Sequence, residues 1–311
     1  MKALSRRALL KGAIASCIPL SFPAVVFSRG RIEAGGRPRV VEAQGPIEDA
    51  LQLLLKELGG VGRFVKSGDT VLIKPNMSFP NPPEQATTTD PNLVRAMIGH
   101  CLQAGAKRVL VADHPMRAVN LCLEMTGVKQ ACADLPGVYV IGASQEGMFR
   151  RVTLSQTKEL DAVKILRTAL DADVQINLPR MKSHGATIVS LGTKGNMGLI
   201  WDRGAFHSRL NINEAIGDLN TLIRADLTIL DGSRVLTAGG PLGPGPVEEL
   251  GCLIGGTDPV AVDALGVRRV NWYGKKVAPE QIDHLVACHK RGLGEIDLDR
   301  VEIISRKASA P

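Results

Sequence analysis

The feature that most restricts this chain is a recurring unit in which a short apolar run stops on polar residues and a capped amphipathic stretch follows. "DTVLIKPN" (69–76) reads as a buried strand ending at Lys74, Pro75 and Asn76. "DPNLVRAMIGHCLQAGA" (90–106) reads as a helix, with Asp90 as N-cap and Pro91 at the first helical position. "KRVLVADH" (107–114) is the next strand. Strand, polar loop, capped helix, strand is a βαβ crossover, and such crossovers join parallel strands. The unit is preceded by the strand "VVEAQG" (40–45) and the helix "PIEDALQLLLKELGG" (46–60), and its logic returns later. "ADVQINLPRMK" (172–182), "DLTILDG" (226–232), "CLIGG" (252–256) and "DRVEIIS" (299–305) are the later strands. "NINEAIGDLNTLIRA" (211–225), the stretch from Asp258 and "APEQIDHLVACHKRGLG" (278–294) are the later helices. The expected fold class is α/β, a mostly parallel sheet with helices on both faces, in one or two lobes. Residues 142–159 are weakly patterned and suit an antiparallel excursion or a lid. With 311 residues and 44% apolar content, residues 29–311 are enough for one large domain with a sizeable core.

In open parallel sheets, ligands sit beyond the carboxyl ends of the strands. Those ends carry Lys74 and Asn76, Asp113 and His114, Lys182 and His184, Asp231, and Thr257 and Asp258. A charged residue closing an otherwise apolar strand is poorly explained by packing. The stretch "KSHGATIVSLGTKGNMGLIWDRGAFHSRLNINEAIGDLN" (182–220) concentrates the signal: it holds His184 and His207, two of the chain's six histidines, and sets Lys194 and Asn196 among glycines. Glycines let backbone amides approach an anion, so Lys74, Asn76, Lys182, Lys194 and Asn196 form a candidate phosphate or carboxylate site. His114 and His184 are candidate acid/base groups, because a neutral imidazole moves protons near neutral pH. His207 with Asp231 and Asp258 offers mixed nitrogen and oxygen ligands for a divalent metal. Asp258 before Pro259 is equally a helix N-cap. His100, His284 and His289 fall at helical positions and are expected to be structural. "GGPLGPGP" (239–246) is a rigid lid or a plain connector. The G-x-S-x-G, H-E-x-x-H, G-x-G-x-x-G and P-loop motifs are absent, which removes the usual support for serine hydrolase, zincin, NAD-dehydrogenase and P-loop readings.

The formal charge of +7 does not indicate a nucleic-acid partner. Four of the cations fall in residues 1–28, and without these the balance is 34 basic against 31 acidic, or +3. Aromatic residues, which would stack bases, make up only 3% of the chain. "SRRALLKG" (5–12) followed by "AIASCIPLSFPAVVF" (13–27) resembles a twin-arginine export signal in residues 1–28, too short and too Pro-broken for a membrane span. That resemblance implies the twin-arginine translocon as a partner and a periplasmic or otherwise exported location. It leaves anchoring by an uncleaved signal open. Cys101, Cys122, Cys132, Cys252 and Cys288 lack C-x-x-C spacing and lie in apolar contexts. No iron–sulfur cluster held by this chain is expected.

"VLIKPNMSFPNPPEQATTTDPNLVRAMI" (71–98), "QINLPRMKSHGATIVSLGTKGNMGLI" (175–200), "DLTILDG", "GGPLGPGP" and "TDPVAVDALG" (257–266) together resemble the family known as domain of unknown function 362. Members often carry a ferredoxin-like iron–sulfur domain, whose cysteine set is absent here. A more distant similarity is to the N-terminal domain of nickel-pincer lactate racemases. In that family a His follows a strand, a second His precedes a Lys by ten residues, and a third His follows. The resemblance implies acid/base roles for His114 and His184, cofactor binding for Lys194 and metal ligation for His207. The Arg that follows the first His in that family is replaced here by Pro115.

Together these readings describe an exported α/β protein with an anionic-ligand or metal-cofactor site at the strand ends, as an enzyme of the isomerase or redox kind. The alternatives are a non-catalytic periplasmic carrier of a small anion or metal cofactor, or a maturation partner of an exported redox complex.

Overall fold

The computed structural model describes residues 36–308. The proposed export signal in residues 1–28 lies outside the described residues. The chain opens with β1 (Arg39–Gln44), α1 (Ile47–Glu57), β2 (Thr70–Pro75), α2 (Pro91–Gln103) and β3 (Arg108–Asp113). It continues through α3 (Val119–Met125), α4 (Val128–Ala131), β4 (Val138–Gly142), β5 (Phe149–Thr153), β6 (Ala162–Leu166) and α5 (Arg167–Asp171). The central segment holds β7 (Val174–Leu178), β8 (Arg180–His184), β9 (Ile188–Ser190), α6 (Gly192–Gly195), α7 (Arg203–Ser208) and α8 (Ile212–Leu222). The last part comprises β10 (Leu227–Leu236), β11 (Val247–Glu248), β12 (Cys252–Gly256), α9 (Pro259–Arg268), α10 (Asp283–Lys290) and β13 (Glu302–Lys307).

The main sheet runs β13-β1-β12-β10-β7-β2-β3-β4. Within this path every neighbouring pair is parallel except the two made by β12, which runs against both β10 and β1. The expected mostly parallel α/β sheet is therefore the observed one. β2 and β7 are buried along their whole length, as strands covered on both faces must be. Alternation along β2 sends Leu72 into one core and Val71 and Ile73 into the other. The core containing Val71 and Ile73 also holds Leu51 and Leu54 of α1 and Leu93 and Met97 of α2. The core containing Leu72 holds Ile216 of α8, Leu265 of α9 and Leu285 of α10. The weakly patterned region contributes to an antiparallel pair, β5 with β6, apart from the main sheet.

Two local devices shape the functional edge. Pro179 separates β7 from β8, and β10 is long enough to pair with both, its first residues with β7 and its later ones with β8. β8 thereby carries Lys182 and His184 beyond the end of β7. Asp90 caps α2 by accepting the Asn92 amide, with Pro91 following, so the loop after β2 is held at both ends.

Candidate functional site

The site begins where β2 and β3 end side by side. The Lys74 Nζ lies 3.5 Å from Asp113 Oδ1, and both side chains are buried. The other oxygen, Asp113 Oδ2, accepts the Met77 amide at 2.7 Å, which folds the loop after β2 over the pair. Residues 196–199, a short 3-10 turn, cover the pair from the other side. A Cβ at position 198 would stand 1.9 Å from Asp113 Oδ1 and 2.6 Å from Lys74 Cε, so only glycine permits this approach.

From here the walls rise. Lys74, Asn76, Lys182, His184, Lys194, Arg203 and His207 line a cavity of about 220 Å³, together with Ser78, Phe79, Met116, Ser190, Met197 and Pro241. Lys182 donates to the Thr87 carbonyl and its Nζ stands 5.0 Å from the centroid of the Phe79 ring. Arg203 donates to the backbone carbonyl of His114. Lys194, in α6, has its Nζ 3.7 Å from the Met197 sulfur. His184 Nδ1 accepts the Ala186 amide at 3.1 Å, which leaves the proton of its neutral ring on Nε2. The rings of His184 and His207 are nearly parallel, with centroids 5.8 Å apart.

Four cationic side chains therefore converge on one space, none of the lining residues is acidic, and Asp113 beneath is the adjoining carboxylate. Two unit charges about 4 Å apart interact by roughly 4 kcal/mol at an effective dielectric near 20, so such crowding is expensive when unrelieved. The titration of the groups reflects it. Burial first, then the charges of Arg203 and Lys74, bring Lys194 down to about 7. Burial, with Lys194 and Lys74 adding repulsion, holds Lys182 far below the ordinary lysine value. His184 is pushed down to about 2 by burial, then by Lys194 and Lys182, so its ring is neutral. Burial, then Lys194 and Arg203, also lower His207.

The loop from Gly239 to Pro246 closes one side. The Gly240 amide donates to Ser183 Oγ at 2.9 Å, and a Cβ there would sit 1.9 Å from the Ser183 carbonyl oxygen. Asn81 donates to the Leu242 carbonyl, tying this loop to the one after β2.

Of the ten residues singled out in the sequence, six meet here: Lys74, Asn76, Lys182, His184, Lys194 and His207. His114 borders the site without lining it. Its Nδ1 is 2.8 Å from the Ile200 carbonyl, and its ring stacks on Trp201. Asn196 is buried behind α6, donating to Asn220 Oδ1 and to the Ile223 carbonyl. The three proposed metal ligands are not brought together. Asp231 forms a fully buried ion pair with Arg180 at 2.9 Å and accepts the Asp90 amide. Asp258 accepts the Val260, Ala261 and Glu295 amides, capping α9. β12 is reversed, so its carboxyl end, and Asp258 after it, lie beside the start of β10 on the opposite edge of the sheet. Among the described residues no group of three or more His, Cys, Asp or Glu is placed to hold a metal. Two imidazoles among four cations do not suit a bare divalent ion; a ligand bringing negative charge suits them.

Sequence reasoning missed Arg203. Its position offered one signal: a cation in the first turn of a helix, next to the N-cap Asp202, opposes the helix dipole and needs another reason to be there.

The chain matches the family model described as domain of unknown function (DUF362) over residues 71–268. It is 32% identical over 232 residues to the thylakoid-associated protein sll1697 of Synechocystis sp., covering 70% of this chain and 68% of that protein. Among solved structures it is similar to the lactate racemase apoprotein of Thermoanaerobacterium thermosaccharolyticum, with a TM-score of 0.46 and 14% identity. That likeness covers 76% of this chain and 58% of the racemase chain.

Proposed function

We propose that this chain, which belongs to the DUF362 family, binds a small multiply charged anion at the carboxyl edge of its sheet and exchanges protons with it through His184 and His207. The observation that carries this reading is the convergence of Lys74, Lys182, Lys194 and Arg203 on one cavity without a lining carboxylate. An anion there relieves repulsion among groups already desolvated, so the cost of burying the cations falls on folding and the gain on binding. The His207 ring, lowered by burial and the neighbouring cations, is the neutral proton acceptor beside it, and His184, whose Nδ1 is occupied by the Ala186 amide, offers its Nε2–H as a donor. The role is that of an enzyme acting on a small acid.

The test is titration of the full chain with phosphate and pyrophosphate at constant ionic strength, followed by calorimetry and thermal unfolding. Saturable binding with a higher unfolding temperature is expected, weakened at least about tenfold, or 1.4 kcal/mol, in Lys194→Met and in Arg203→Met. An unfolding temperature that responds equally to chloride and to phosphate would sink the reading. We also propose that residues 1–28 send the chain along the twin-arginine route, on the strength of Arg6–Arg7 and the apolar stretch after them. A chain with both arginines replaced by lysine that still reached the periplasm would remove that part.

A further inference from the structure

The four cavity cations are not equivalent. Lys74 is paired with Asp113, Lys182 donates to the Thr87 carbonyl, and Arg203 donates to the His114 carbonyl. Lys194 alone among them meets no oxygen among the described residues: its Nζ faces the Met197 thioether at 3.7 Å. A thioether is a weak acceptor and does little to hold an ammonium ion. The side chain is buried, it lines the cavity, and its charged neighbours Arg203 and Lys74 repel a proton placed on it. A desolvated lysine beside other cations is the usual setting for an amine that attacks carbonyl carbon. Lys74, paired with Asp113, and Arg203 remain available as positive charges for a carboxylate, and Lys182, tied to the Thr87 carbonyl, remains a hydrogen-bond donor. Phe79, Met116, Met197 and Pro241 supply apolar wall for a short carbon chain.

We propose that the ligand is a small 2-oxo acid and that the Lys194 amine condenses with its carbonyl to form an imine. This rests on the anion-site reading above and names its substrate class. In the step, the nitrogen lone pair attacks the carbonyl carbon and a C–N bond forms. The carbonyl π pair moves to oxygen, which takes up the proton released from nitrogen through the imidazole of His207. A proton drawn from solvent water through the same imidazole then lets that hydroxyl leave as water, while the nitrogen lone pair closes the C=N bond to give the protonated imine. One water is released and nothing is oxidised or reduced.

The experiment is reductive trapping: the full chain with pyruvate or 2-oxoglutarate and borohydride, followed by intact mass and peptide mapping. One reduced adduct per chain is expected, on Lys194, with pyrophosphate blocking its formation and the uncharged ketone butanone giving none. Mapping on the wild-type chain locates the lysine without relying on a variant. Lys129→Arg, on the exposed surface of α4, should retain the adduct, and Lys194→Arg should lose it while still unfolding cooperatively. Adducts on Lys182 or scattered over surface lysines would overturn the assignment to Lys194. Phosphate binding with no adduct would overturn the imine and leave the anion site standing. Absence of both would remove the two together.

Discussion

At the residue scale, the buried lysines make stability depend on pH in an unusual direction. A base whose pKa is depressed on folding binds fewer protons in the folded than in the unfolded chain, so stability rises with pH across the interval between the two values. For Lys194 that interval runs from about 7 up to the ordinary 10.5. The penalty is complete below about 7 and fades above it. Lys182 and Lys74, also lowered mainly by burial, act with the same sign. The ligand-free protein should therefore gain unfolding temperature between pH 7 and 9, and Lys194→Met should flatten part of that rise. A second prediction concerns Gly198: alanine there collides with the Lys74–Asp113 pair and should cost about 1–3 kcal/mol in denaturant unfolding, with loss of phosphate binding. The lysines were legible because charge at the end of an apolar strand has few structural explanations. Asp231 has the same signature but a different purpose, since its partner Arg180 comes from a strand paired with it only in three dimensions.

At the element scale, the strands and helices were legible because apolar periodicity and Asp-Pro starts are local properties. Strand direction is not, and β12 shows the consequence. "CLIGGTDP" reads like the other strand ends, yet β12 runs the other way and delivers Asp258 to the far edge. Asp258→Ala should cost about 1 kcal/mol or somewhat more, since three amides lose their acceptor, and leave phosphate affinity unchanged. A variant with intact stability and lost binding would return Asp258 to the site. From its sequence, the loop from Gly239 to Pro246 reads equally as lid or connector. Its contacts with Ser183 and Asn81, and Pro241 in the cavity wall, make it a wall that joins elements.

At the scale of the whole molecule, the cavity belongs to no single segment. Its walls come from residues 74–79, Met116, residues 182–207 and Pro241, contributed by the ends of strands that are far apart in the chain. Two separate cores, one on each face of the sheet, carry those walls. On the proposed reading, an anion seated there bridges these regions and acts as a clasp, resisting any opening that separates one wall from another. Hydrogen exchange with saturating pyrophosphate should slow amides in β2, β8 and α6 together, by a common factor, rather than only those next to the ligand. Protection confined to residues 192–198 would show that the loops hold the anion by themselves. On the proposed reading the crowded lysines are a keyhole cut into the folding reaction, and a small acid that fits it would complete the fold as well as occupy the site.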